Sequence, residues 1–277
     1  MIPLKDNIPT SRFPIVTVIL IALNVAAFAW QLTLPSDQAS SSELERVGLN
    51  ERDEATISYG AIPYRVTHPG GECSVISGPR FAEVSCAGAE SESGEQAGET
   101  PLDLPPWWLT LLTAMFLHAG FLHLGFNMLF LWIFGNNIED RLGRGRFLLF
   151  YLLAGLTATY AQALLDTGST IPTIGASGAI AGVLGAYALL FPKAKVLSLV
   201  IIIFFVTLVE IPAMILLGLW LLLQFLPAID QIATIDGGGE GGVAYLAHIG
   251  GFVFGLATIK LWVRRRDDSG SRLRLSS

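Results

Sequence analysis

Long apolar runs dominate the chain. They cover 13–34, 121–134, 147–165, 176–191, 211–226 and 243–263, with polar or charged connections between them. A hydrocarbon core about 30 Å thick takes about 20 helical residues to cross, so the six runs predict six membrane-spanning helices. The second and fourth are short, which is tolerable where a span ends in a protein-lined, water-accessible cavity. The run 196–209, bracketed by Lys193, Lys195 and Glu210, is rich in Val, Ile, Phe and Thr. It reads as an extended hairpin leading into the fifth helix or as a short extra helix, with Glu210 at the start of the fifth helix. Lys5 and Arg12 ahead of the first run imitate a secretory leader. That run exceeds the usual apolar stretch of about 7 to 15 residues and no small-x-small site follows it, so it is expected to stay as the first span.

Charge orients the spans. With an even number of crossings both ends share a side, and basic residues collect on the cytoplasmic side. Lys5 and Arg12, then Arg141, Arg144 and Arg146, then Lys193 and Lys195, and finally Lys260 with Arg264, Arg265, Arg266, Arg272 and Arg274 fall on alternate connections. Two of the opposite connections carry Asp166 in one and Asp230, Asp236 and Glu240 in the other, without Lys or Arg, and the third, 35–106, has Arg46, Arg52, Arg65 and Arg80 but many more acids. The expected organisation is a cytoplasmic tail 1–12, a first span 13–34, an external loop 35–106, a membrane core 107–263 and a basic cytoplasmic tail 264–277. A multi-pass protein of a bacterial plasma membrane is the implied setting.

Composition agrees with bilayer as the solvent, since 52% of residues are apolar and only 14% charged. The formal net charge of −6 comes largely from acids in the 35–106 loop and argues against a nucleic-acid partner. Both cysteines, Cys73 and Cys86, lie in that loop, where an oxidising compartment permits a disulfide. Residues 55–86 hold enough apolar side chains for a small stapled substructure. Residues 87–103, mostly Glu, Gly, Ser and Ala, read as disordered.

Ionisable and polar groups at membrane depth are costly, so each is a site candidate. His123 and Asn127 share a helical face in HLGFN, Ser177 opens the fourth span in GASG, and His248 lies early in the sixth in AHIGGFVFG. The charge-derived topology brings all four to the external ends of their helices. Ser177 can be a nucleophile if a base removes its proton, and a neutral His248 suits that task. Gly175 and Gly178 flank Ser177 at a helix start, where backbone N–H groups including that of Ser177 are unpaired. His123 and Asn127 add side-chain donors for an oxyanion. No acid occupies the external half of a span to orient His248, so a dyad is expected. His118 lies off the face of His123 and reads as a loop or interface residue. Gly178, Gly182 and Gly185, with Gly251 and Gly255, form small-residue surfaces that draw the fourth and sixth helices together. The string GGGEGG at 237–242 lacks a βαβ context and reads as a connector.

These residues resemble the rhomboid intramembrane serine proteases over about 107–262 and the first helix. FLHAGFLHLGFNMLFLWIFG is similar to the family's H-x4-H-x3-N segment, GASG to its G-x-S-G motif and AHIGGFVFG to A-H-x-x-G-x-x-x-G, while Glu139, Gly143 and Arg146 fit E-x3-G-x2-R. The resemblance implies a six-helix rhomboid-like bundle, with Ser177 as nucleophile, His248 as base, and His123 and Asn127 on the oxyanion side. It also implies no metal or cofactor, and membrane-anchored protein substrates cut near the external surface. Three features depart from the pattern. Leu109 follows Trp108 where many members have Arg, Ala181 stands where some members stack an aromatic ring on the histidine, and the loop between the first two spans is long. The competing readings are an inactive scaffold that binds membrane helices and a transporter using His123 and His248 as a proton relay. A transporter needs a polar path toward the cytoplasm, yet the inner halves of the spans offer little beyond Glu210.

Overall fold

The computed structural model describes residues 1–35, 49–78, 81–86, 98–202, 204–233 and 243–263. The chain is mostly helical. It opens with strand β1 (Ile2–Asp6) and helix α1 (Ile15–Thr33), followed by α2 (Glu51–Tyr59), α3 (Pro63–Thr67) and strands β2 (Cys73–Gly78), β3 (Phe81–Cys86) and β4 (Gly98–Pro101). Helix α4 (Trp107–Thr113) tightens into a 3-10 turn at Ala114–Phe116. Helix α5 (Phe121–Phe130) runs through a π-helical turn, Leu131–Gly135, into α6 (Asn136–Leu142), and α7 (Arg144–Leu165) and α8 (Ser177–Leu190) complete the first half of the bundle. A hairpin of β5 (Lys195–Ile202) and β6 (Phe205–Pro212) leads to α9 (Ala213–Ala233), and α10 (Tyr245–Trp262) follows.

Four helical stretches are long and apolar enough to cross a membrane: Ile15–Thr33, Phe121–Leu142, Arg144–Leu165 and Tyr245–Trp262. Trp107–Phe116 and Ser177–Leu190 are shorter apolar helices, and 213–229 is the apolar part of α9. The stretch from Phe121 is therefore not a short span, because the π turn carries it on to Leu142. In α1 the buried residues Thr17, Leu20, Asn24, Phe28 and Gln31 recur every three or four positions, so one stripe faces the protein while the apolar remainder is left for lipid.

Helix ends are closed by side chains from other elements. The Glu139 carboxylate accepts from the backbone N–H of Val16 at 2.9 Å and from the N–H and hydroxyl of Thr17, both at 2.8 Å, which caps α1 without a local N-cap side chain. Arg52 donates to the carbonyls of Gln31, Leu32 and Leu34 at the other end of α1. Arg146 donates to the Trp262 carbonyl at 3.2 Å, and Gly143 makes its turn at φ 79°. The E-x3-G-x2-R residues thus hold helix termini.

Helix α8 is the centre of the core. Every residue from Gly178 to Ala188 is buried, with α7 and α10 packed against it. A Cβ at Gly251 would meet the carbonyl oxygen of Gly178, one at Gly255 that of Gly182, and one at Gly185 that of Phe252. Only glycine permits this backbone approach, and it sets the distance between the two helices.

Two small sheets flank the bundle at opposite ends of α8. At the Leu190 end, β1, β5 and β6 form an antiparallel sheet in that order. The hairpin reading of 196–209 holds, and the expectation for 211–226 is corrected, since Ile211 and Pro212 finish β6 and α9 runs from Ala213 past Pro227 to Ala233. Asp230 is accordingly helical. Glu210 is not at a helix start but on β6, exposed and 3.4 Å from Lys195. Residues 1–12 are more than a tail, because β1 places Asp6 in the core, where Asn137 donates to it at 2.7 Å and the Tyr187 hydroxyl at 2.5 Å. Burial pushes the Asp6 carboxyl above its ordinary range, against the opposing pull of these hydrogen bonds.

At the Ser177 end sits a unit formed by α2, α3 and a sheet ordered β3-β2-β4. Asn50 and Asp53 make a reciprocal capping box at the start of α2. Cys73 and Cys86 face each other in register and are joined as a disulfide, around which Ile57, Ile62 and Tyr64 pack. Residues 98–101, within the stretch expected to be disordered, pair with β2 as β4. Residues 87–97, the GGGEGG connector and the 264–277 tail lie outside the described residues.

Candidate active site

The link between α7 and α8 is anchored before it reaches Ser177. Ala61 and Thr173 exchange backbone hydrogen bonds at 3.0 and 2.9 Å, and Tyr64 N–H donates to Ser169 at 2.9 Å, so the disulfide unit braces this link. Gly175 then turns at φ 116° and donates its N–H to the Ala114 carbonyl at 2.8 Å. A side chain at Gly175 would be strained by its conformation and would also strike the His123 ring, whose Nε2 and Cε1 lie 2.8 Å from the ideal Cβ position. The Ser177 Oγ is 3.6 Å from that same point, so His123 Nε2 and the serine hydroxyl border one small space.

Ser177 is the first residue of α8, and the helix start receives no side-chain cap. The hydroxyl is therefore available to His248, whose Nε2 is 2.8 Å from Ser177 Oγ across 71 residues of sequence. On the other side of the ring, His248 Nδ1 is 2.7 Å from Gln224 Oε1. The Gln224 Nε2 donates to the Trp220 carbonyl at 3.2 Å, which can only accept, so the amide oxygen is the atom turned to the histidine. Nδ1 must then carry the proton, and Nε2 offers its lone pair to the serine O–H. His248 is only 8% exposed, with Trp220 tilted against it at a centroid separation of 5.8 Å and Tyr245 edge-on at 6.4 Å. Ala181, four residues after Ser177, is fully buried and supplies no ring; the ring tilted against His248 is Trp220, from α9. The first turn of α10 is itself held by Gln162, which accepts from Ala247 N–H at 3.3 Å.

His123 Nδ1 accepts from the Ala119 N–H at 3.4 Å, which leaves Nε2 as the protonated nitrogen of a neutral ring, directed at the space beside Ser177. Asn127 is buried and gives one amide hydrogen to the His123 carbonyl at 3.0 Å, keeping a second. His118 is buried edge-on to His123 at 5.0 Å; its Nδ1 donates to Phe116 at 3.2 Å and its Nε2 has no hydrogen-bond partner. Gly178 is buried beside Ala158 one residue past the nucleophile. Among the described residues no three His, Cys, Asp or Glu side chains are grouped to hold a metal ion.

Ser177, His248 and His123 are thus gathered at one end of the bundle, with Asn127 one helical turn from His123. Gln224 and Trp220 were not anticipated. The signal available in sequence was the one polar side chain in the apolar stretch 213–229 of α9, four residues after Trp220 and so on the same face.

A Rhomboid domain model matches residues 105–265, more than half of the chain, and the protein belongs to the rhomboid family. The chain is 51% identical over 80 residues to Rhomboid protease GluP of Bacillus subtilis, covering 29% of this chain and 15% of that protein. It is 34% identical over 152 residues to Rhomboid protein 1, mitochondrial, of Saccharomyces cerevisiae, covering 53% and 40%. With Rhomboid-like protein 11, chloroplastic, of Arabidopsis thaliana it shares 28% identity over 174 residues, covering 60% and 56%. The chain spans less than two thirds of the length of each of these relatives. Family and apolar helices together define an integral membrane protein.

Proposed function

We propose that this protein is an intramembrane serine endopeptidase that cleaves membrane-anchored protein substrates near the external membrane surface. The observation that carries the reading is the 2.8 Å hydrogen bond between Ser177 Oγ and His248 Nε2 at the half-buried head of a packed helix pair. In the reaction, Ser177 Oγ attacks the scissile carbonyl carbon as His248 Nε2 takes the hydroxyl proton. The carbonyl π electrons move onto oxygen, and the resulting oxyanion is met by the Ser177 backbone N–H, His123 Nε2–H and the second Asn127 amide hydrogen. Collapse expels the amine, which receives the proton from His248. Water, deprotonated by the same nitrogen, then releases the acyl group and regenerates Ser177.

Positive-inside bias supports six crossings with both termini cytoplasmic, the Ser177 end facing out and the unit around Cys73 and Cys86 above it. In this arrangement Ser177–Leu190, too short to span the core on its own, ends in protein. Purified protein incubated with a membrane-anchored reporter should release a fragment, and Ser177→Ala should release none. Equal cleavage by both would refute the assignment.

A further inference from the structure

The feature that the two-residue scheme does not use is the amide of Gln224. It comes from a third helix, α9, and lies half-buried against the base on the side away from the nucleophile. Its geometry is polarised: Nε2 is committed to the Trp220 carbonyl one turn earlier, so Oε1 can act only as the acceptor of the His248 Nδ1 proton. With the ring only 8% exposed, Gln224 Oε1 is the acceptor that the fold places at Nδ1. Remove the acceptor and the favoured neutral form becomes the one protonated at Nε2, which cannot accept from Ser177.

We infer that Gln224 is a positioning residue for the proposed protease reaction, selecting the Nδ1–H tautomer of His248 and holding the ring against Ser177, with Trp220 as the wall that fixes the amide and the ring plane. The inference rests on the peptidase reading. It differs from a dyad in making the competence of the base depend on α9 as well as on α8 and α10. The neutral amide also stabilises the imidazolium formed during attack, since Nδ1–H keeps its acceptor while Nε2 is charged.

The test uses full-length protein in detergent with a membrane-anchored reporter, measuring kcat, KM and the pH profile for the native chain, Gln224→Leu and Gln224→Glu. For Gln224→Leu, kcat should fall about 10- to 1,000-fold with KM nearly unchanged, in keeping with loss of tautomer control at a catalytic histidine. Gln224→Glu should recover much of kcat and move the acid limb of the pH profile upward, because a carboxylate beside Nδ1 favours the protonated ring. Nitrogen NMR of labelled histidine should report Nδ1–H in the native chain and Nε2–H in Gln224→Leu, a change that a purely structural role would not produce. Native kcat and an unchanged tautomer in folded Gln224→Leu would overturn the inference while leaving the peptidase reading intact. Failure of the native chain to cleave any reporter, with Ser177→Ala indistinguishable from it, would count instead against the underlying reading.

Discussion

The carbonyl oxygen of Gly182 occupies the position that a Cβ on Gly255 would need. The same interlock repeats one turn away between Gly178 and Gly251, so the crossing of α8 and α10 is set by backbone touching backbone just below the Ser177–His248 hydrogen bond. Any side chain on this seam must push the helices apart. Gly255→Val should therefore cost about 1 to 3 kcal/mol as overpacking and reduce cleavage more than its loss of thermal stability accounts for. Parallel melting and turnover measurements in detergent check this; unchanged values for both would show that the seam does not set the site.

Glu139 closes the N-terminus of α1 with three hydrogen bonds from Val16 and Thr17, far from Ser177. Glu139→Ala leaves buried donors without partners, a loss of about 1 to 3 kcal/mol for each group so exposed to an apolar environment. A lower melting temperature with near-native turnover per folded molecule is expected. A specific loss of kcat in fully folded protein would instead place Glu139 in the chemistry.

Much of the bundle was legible because its helices are written in long apolar runs and its site in the few polar residues those runs contain. His123, Ser177 and His248 stand out for that reason, and the glycine spacing identified which helices meet. The boundary errors have local causes. Ile211 and Pro212 look like the start of a helix by hydropathy alone, but Pro212 ends β6 in register with Lys195. The β1 strand was hidden because IPLKD has too few apolar residues to signal burial, and its pairing with β5 is made by partners nearly 200 positions away. The meaning of Gln224, one amide in the run 211–226, depends on α9 turning toward α10, which sequence spacing does not specify.

The oxyanion donors divide unequally in geometry. His123 Nε2 borders the space beside Ser177 directly, whereas Asn127 has spent one amide hydrogen on the helix backbone. Loss of one oxyanion donor typically lowers turnover about 100- to 1,000-fold, so His123→Ala should fall in that range with KM little changed, and Asn127→Ala should have the smaller effect. Steady-state kinetics of both single variants and the double variant decide it. Native turnover in all three would remove the oxyanion role.

The unit around Cys73 and Cys86 touches the link to Ser177 through Ala61, Thr173 and Tyr64. A cross-link closing a loop of this size restrains the unfolded chain by about 3 kcal/mol. Replacing both cysteines with Ser should loosen this unit, leave the helical bundle folded and lower turnover modestly by releasing the link. Intact-mass analysis of unreduced, alkylated protein should find neither thiol modified; both thiols alkylated would contradict the disulfide.

In the proposed topology the basic segments all face the cytoplasm. Protease added outside intact cells should cut only within 35–106, and immunodetection of tags at the two termini should show both protected. Removal of either tag would reverse the orientation and with it the side on which cleavage occurs.

The most direct measurement is covalent labelling of the native membrane protein by a serine-directed electrophile, followed by mapping of the modified residue. With Ser177 Oγ hydrogen-bonded to His248 Nε2 at 2.8 Å, the label should fall on Ser177, vanish in Ser177→Ala and collapse in His248→Ala, since an unassisted hydroxyl is a poor nucleophile. Labelling of folded His248→Ala at the native rate, or a native-level label elsewhere with Ser177 untouched, would contradict the catalytic pair.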